Sequence, residues 1–257
     1  MSLSVTIQGT ANDLPPVLLV HGLFGQARNL GVLIRKCLET RQVIGVDMRN
    51  HGESFHDPDH SYDALSGDLA DVIEAHGGVA DVVGHSMGGK SAMWLALTRG
   101  ELIRRLVVLD IAPLAYTHSQ MRYVDAMEGL DLTGLRTRSE ADRRLAQTVD
   151  EPGVRAFLLQ SLDLKADPPE WKLNLPVLRA SMKSLTGWPG TGGRTWDGPA
   201  LFLAGGDSDY VTEAGETAIR EGFPNAVIER VAGTGHWLHA EKPAEVADRV
   251  AAFVNGS

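Results

Sequence analysis

The chain has 257 residues, 43% hydrophobic and 22% charged, enough to bury one sizeable core. Its formal net charge of -9 lacks the basic footprint of a nucleic-acid binder, and its one cysteine, Cys37, excludes an intrachain disulfide. The longest run without Asp, Glu, Lys or Arg, residues 14–27, is only 14 residues, short of the ~20 apolar residues of a membrane-spanning helix.

The opening MSLSVTIQGT has neither the basic region nor the apolar run of a secretory signal. The expectation is a cytoplasmic protein without nucleic-acid or membrane partners, a monomer or homodimer. PVLLV (16–20) is an apolar run of strand length, followed by helical spacing over 28–38. VIGVD (43–47) is the next predicted strand, then a helix near 63–76 and a strand, ADVVG, at 80–84. A helix over 86–98 and the strand LVVLD (106–110) follow. Late in the chain come a strand at 200–204, a helix at 213–221, a strand at 226–231 and a helix at 243–254. Short, wholly apolar strands alternating with helices predict an α/β fold with a mostly parallel sheet covered on both faces.

About 85 residues separate LVVLD from ALFLA, far beyond an ordinary loop. Short helices are predicted at 119–128, 139–149 and 153–162, followed by a Pro/Gly/Trp-rich stretch ending in GWPGTGGRTW. The expected division is a core of 1–111 and 199–257, with 112–198 inserted as a helical lid.

VVGHSMGGKSA (82–92) surrounds Ser86 with Gly84, Gly88 and Gly89. A lone Gly-x-Ser-x-Gly match is weak. Here it follows an apolar strand and opens a helix, the setting of a nucleophile elbow, where the serine sits on a turn too tight for neighbouring side chains. LLVHGLFG (18–25) ends the first core strand with a glycine-flanked turn. A backbone N–H from Leu23, or alternatively Phe24, would join that of Met87 to form an oxyanion hole. His236, in VAGTGHWLHAEKP after the last strand, is the candidate base for Ser86; His239 reads as a cap or surface residue. Asp110, Asp207 and Asp209 all follow strands at the correct edge and lie between Ser86 and His236, so spacing leaves the acid open.

His85 is expected to pack the elbow, and Lys90 to be solvated or paired with a carboxylate. Arg49, Asn50 and His51 read as structural hydrogen-bonders near the site mouth. HDPDHSYD (56–63) reads as a surface turn, so no metal is expected. Phe24, Trp188 and Trp196 are candidates to line a substrate pocket.

HGLFGQARNLGVL, VDMRNHGES, GHSMGGK, LDIAP and GHWLHAEKP occur in that order along the chain. With them the sequence resembles the α/β-hydrolase superfamily over essentially its whole length. More narrowly it resembles the bacterial YbfF-type esterases and the related mitochondrial abhydrolase-domain esterases. The resemblance implies an α/β-hydrolase fold with a helical lid and a serine esterase that needs no cofactor. It implies small-molecule substrates, short acyl esters, with acyl-CoA thioesters as further candidates. It further implies that the acid is Asp110 and that Ser208 assists; Asp209 stands at the commoner superfamily position and is the alternative acid. The serine argues against dehalogenases and epoxide hydrolases, which need a carboxylate nucleophile. Perhydrolase, thioesterase, carbon–carbon hydrolase and acyltransferase reactions remain as alternatives on this fold, as does a slow-turnover ligand receptor.

Overall fold

The structure, a computed structural model, describes residues 2–256. Chain order begins with strand β1 (Ser4–Gln8), β2 (Val17–Val20), a turn of 3-10 helix leading into α1 (Gly31–Cys37), and β3 (Val43–Asp47). Next come α2 (Tyr62–Ala75), β4 (Ala80–His85), α3 (Met87–Arg99) and β5 (Ile103–Leu109). The segment before the next core strand holds α4 (Met121–Glu128), α5 (Arg138–Leu145), α6 (Pro152–Leu158), the short pair β6 (Leu162–Asp163) and β7 (Glu170–Trp171), and α7 (Leu175–Thr186). The chain closes with β8 (Ala200–Gly205), α8 (Glu213–Gly222), β9 (Ala226–Val231), α9 (Leu238–Glu241) and α10 (Pro243–Asn255).

The seven-stranded sheet runs β1-β3-β2-β4-β5-β8-β9, and only the β1–β3 pairing is antiparallel. Neighbouring residues on a strand serve opposite faces, as the pleat requires. Val82 joins the apolar cluster with Leu65, Leu69, Met93 and Ile219 from α2, α3 and α8. Val83 joins the one with Leu33, Ile34, Val246 and Val250 from α1 and α10. Because β2 and β4 are neighbours while β3 lies beyond β2, strand order reverses between them. Open α/β sheets bind ligands at such a switch, beyond the carboxyl ends of the strands. The turn after β2 and Ser86 after β4 meet there.

The segment 112–198 has its own apolar cluster, including Tyr123, Leu145, Leu158, Leu178 and Met182, which Phe24 from the β2 turn joins. Polar contacts seat it on the carboxyl-end loops: Ser161 Oγ donates to Phe24 O at 2.9 Å, and Asn174 Nδ2 donates to Asn50 Oδ1 at 2.9 Å.

β1, the β6–β7 pair, α7 and α9 went unread in the sequence. In β1 four of five residues are exposed, so no buried alternation marks this edge strand. For α7, Pro176 lies in the first turn, where a missing N–H costs nothing, and so it starts a helix instead of breaking one.

Candidate active site

Ser86 has φ 51 and ψ -116, a conformation L-residues rarely adopt. The glycines around it are a steric necessity. A Cβ at Gly84 would lie 2.4 Å from Gly88 O, and one at Gly88 would lie 2.5 Å from the carbonyl oxygens of Val20 and His21. Strand β4, the first turn of α3 and the end of β2 are therefore pressed backbone to backbone. Ser86 N donates to Leu109 O at 3.1 Å, which tethers the elbow to the neighbouring strand.

His236, in the loop between β9 and α9, lies with Nε2 3.0 Å from Ser86 Oγ and Nδ1 2.8 Å from Asp110 Oδ2. A carboxylate only accepts, so Nδ1 holds the proton and Nε2 is left to accept from the serine hydroxyl. Asp110 is fully buried one residue past β5, at φ 49. Its Oδ1 accepts from Gly205 N at 2.8 Å and its Oδ2 from Ser208 Oγ at 2.5 Å. Asp207 and Asp209 are both exposed, and neither bonds His236 among the described residues. Tyr210 stacks on the His236 ring with centroids 3.8 Å apart. Its sequence signal is an aromatic residue two positions beyond Ser208.

His85 Nε2 donates to His236 O at 2.9 Å, fixing the backbone of the histidine loop. Burial holds the His85 ring well below its ordinary pKa. His239 is not the surface residue expected. It is buried, its ring meets His85 edge-on at 4.4 Å, and burial pushes it down to about 4. Helix α9 turns it inward, against His85 and the cleft that His236 and Trp237 line.

The β2 turn is braced by two further histidines. His21 Nε2 accepts from Met48 N at 2.9 Å, and His51 Nε2 accepts from Phe24 N at 3.1 Å. An amide N–H can only donate, so both rings are neutral with the proton on Nδ1. Burial holds His21 down to about 4 and His51 to about 3. Phe24 N–H is thus engaged away from Ser86, whereas Leu23 N–H makes no hydrogen bond among the described residues. Met87 N–H opens α3, where no intrahelical acceptor exists.

Three cavities meet here. A cleft of about 830 Å³ is lined by His236, Trp237, Tyr210, Arg28 and Arg122 but does not touch Ser86. Two narrow recesses do touch it: one of about 50 Å³ toward Lys90, Tyr62 and Leu185, and one of about 30 Å³ lined by Leu23, Phe24 and Trp237. The widest space lies on the histidine side of the serine. Lys90 is neither solvated nor ion-paired: it is 1% exposed, and among the described residues it has no carboxylate partner. Its position four residues after Ser86 on one helix face was the signal that it belonged to the site.

The two tryptophans stand further off. Trp188 packs behind Tyr62, edge-on to Trp94, with ring centroids 6.1 and 5.8 Å away. Trp196 lies against Phe223 and Gly100, at the end of α3 remote from Ser86. Neither lines the three cavities described.

A family model described as the alpha/beta hydrolase family matches residues 17–249. The chain is 39% identical over 261 residues to Esterase YbfF of Escherichia coli (strain K12), covering 99% of this chain and 100% of that protein. It is 39% identical over 250 residues to sn-1-specific diacylglycerol lipase ABHD11 of Mus musculus, covering 94% of this chain and 81% of that one. Among solved structures, a marine microorganism esterase superposes with a TM-score of 0.92 at 31% identity, covering 98% of this chain and 99% of that one.

Proposed function

The chain belongs to the alpha/beta hydrolase family and is a carboxylic ester hydrolase, and from that premise we propose the serine mechanism by which it works. The observation that carries the proposal is the continuous line from Ser86 Oγ through His236 to Asp110, with contacts of 3.0 and 2.8 Å. His236 Nε2 takes the serine proton as Oγ attacks the ester carbonyl. The resulting oxyanion lies between the N–H groups of Leu23 and Met87. Asp110 keeps the imidazole in the right tautomer and steadies its positive form. The alcohol leaves with the proton from His236, and a water deprotonated by the same ring releases the acid from Ser86. Ser208 holds the Asp110 carboxylate in place.

The same proton transfer sorts the cavities. The leaving oxygen has to sit within reach of His236, so the alcohol occupies the wide cleft and the acyl chain the narrow recess toward Lys90. That geometry supports short acyl groups on large alcohols. At the cleft, Arg28 donates to Gln160 O, Arg122 pairs with Glu151, and Glu241 adds a further negative charge. Arg28 has no carboxylate partner among the described residues, so a coenzyme A phosphate would meet one uncompensated cation beside Glu151 and Glu241, a balance that favours ordinary esters over acyl-CoA thioesters. The segment 112–198 supplies Tyr123, Phe157 and Gln120 to these cavities, which supports reading it as a lid. No helix among the described residues is long and apolar enough to cross a membrane. A cytoplasmic setting suits the lone cysteine, buried and with its thiol pushed up to about 11 by that burial.

The test is steady-state hydrolysis of p-nitrophenyl butyrate by wild type and Ser86→Ala. The expected result is many turnovers in the wild type and loss of nearly all of them in the variant. A variant that keeps most of the wild-type rate overturns the mechanism.

A further inference from the structure

The floor of the acyl recess is where the chemistry is unusual. Short-chain esterases need nothing but apolar walls there, and Leu23, Ile111, Met182 and Leu185 supply them. Yet Lys90 also lines this recess. A lysine head has three N–H donors. Two are taken, by Gly187 O at 2.6 Å and Thr186 O at 3.2 Å. The third has no oxygen acceptor among the described residues; its neighbour is the face of Tyr116, whose centroid lies 4.7 Å from Nζ. A second polar atom in the same wall is also unmatched: His118 Nε2 is buried without a hydrogen-bond partner.

Burying a lysine without a carboxylate costs stability. The cost is visible in Lys90, which burial pushes down to about 7. A methionine would avoid that penalty but leave the Thr186 and Gly187 carbonyls without this donor, and those two bonds still do not account for the third N–H. The position of Lys90 does. It lies one helical turn beyond Ser86, on the face shared by residues four apart. An acyl chain bound to Ser86 and running into the recess ends against this head. A purely aliphatic end would displace any water there and leave the N–H unmatched. An end carrying an oxygen would match it.

We propose that Lys90 is a specificity-determining residue that selects short acyl groups bearing a hydrogen-bond acceptor, such as a ketone oxygen, toward their far end. This rests on the reading of Ser86 as the nucleophile and of the narrow recess as the acyl side. Lys90 offers this third N–H as ammonium; a neutral amine would spend both its N–H groups on Gly187 O and Thr186 O, so the preference belongs to the protonated form. A neutral acceptor also avoids burying a second charge in a recess of about 50 Å³.

The experiment compares p-nitrophenyl levulinate with p-nitrophenyl isocaproate, which differ only in a ketone oxygen replacing a methyl branch. Each kcat/KM is divided by the ester's own hydroxide-catalysed rate, which removes intrinsic reactivity. Wild type should prefer levulinate by roughly tenfold or more, since a site built to donate rejects the analogue lacking the acceptor. Lys90→Met should bring the ratio near one or below, mainly by improving KM for isocaproate. Lys90→Gln, which keeps an N–H, should retain part of the preference. A wild-type ratio near one overturns the proposal and needs no variant, so a misfolded Lys90→Met does not blunt the test. A preference that survives intact in Lys90→Met overturns the assignment to Lys90. Ser86→Ala assayed on both esters separates the two readings. Activity surviving there means the nucleophile is wrong, whereas activity lost there with no levulinate preference means only Lys90 is.

Discussion

Phe24 N–H donates to His51 Nε2 at 3.1 Å, and this bond ties the turn after β2 to the turn after β3. Phe24 adopts φ 65, an uncommon conformation for a bulky residue. A second bond, from Ser161 Oγ to Phe24 O at 2.9 Å, holds the same residue from the inserted segment. The two bonds pin the peptide planes on either side of Phe24. They leave the preceding amide, that of Leu23, without an acceptor among the described residues.

In the proposed mechanism His51 acts on the reaction through a backbone amide it does not itself present. His51→Ala should lower kcat by about a hundredfold, a loss comparable to that of one oxyanion donor, with little change in KM. His51→Gln, which keeps an acceptor, should recover part of it. Steady-state kinetics on p-nitrophenyl butyrate measure both. An unchanged kcat in His51→Ala would show that the Leu23 amide does not depend on this brace.

The same histidines set an acid limit on stability. His21 titrates at about 4, and His51 and His60 at about 3, each held down chiefly by burial, whereas an unfolded histidine titrates near 6.5. Between those values the unfolded chain binds protons that the folded chain refuses. The contribution is fully present above pH ~6.5 and is lost as pH falls toward about 3, with a slope of up to ~1.4 kcal/mol per pH unit for each group. Around His51 stand His21, His60 and His56, which disfavour a further positive charge there. Denaturant unfolding at pH 7 and pH 5 should show wild type losing stability on acidification, and His51→Gln losing less. Equal losses in both proteins would mean His51 is not a neutral buried group.

Three aspartates competed for His236 in the sequence, with Asp209 the main alternative to Asp110, and among the described residues only Asp110 lies on its Nδ1. Asp110→Asn should lower kcat by up to ~10⁴, because an amide no longer selects the productive tautomer. Asp209→Asn should stay near wild type. Parallel assays of the two variants decide the matter. A large loss in Asp209→Asn with Asp110→Asn active would reverse the assignment.

What could be read along the chain was local. GHSMGG announces its turn because the clash between Gly84 and the Gly88 carbonyl arises within five residues and needs no distant partner. β2, β3 and β4 announce themselves because each is buried on both faces, which selects mostly apolar residues, with Asp47, Asp81 and His85 as buried polar exceptions. The edge strand β1 lies mostly in water, so no such pressure acts on its residues.

What depended on reach across space was not legible from spacing, and only the family resemblance favoured Asp110. Asp110 and Asp209 both follow strands in sequence, but Asp110 is turned into the core at φ 49, bonded to Gly205 N and Ser208, while Asp209 points to solvent. Lys90 looked like any helix-surface cation until the segment from Tyr116 to Gly187 closed over it and replaced water with two carbonyls and an aromatic face. The sequence by itself determined the strand order of the chemistry, from the β2 turn through Ser86 to His236, because chain order and local sterics carry it. The tertiary structure alone sets Asp110 on His236, leaves the Leu23 amide unengaged among the described residues, and buries Lys90 in a recess it shares with Ser86. Those choices turn on directions and desolvation that arise only when segments far apart in the chain are packed together.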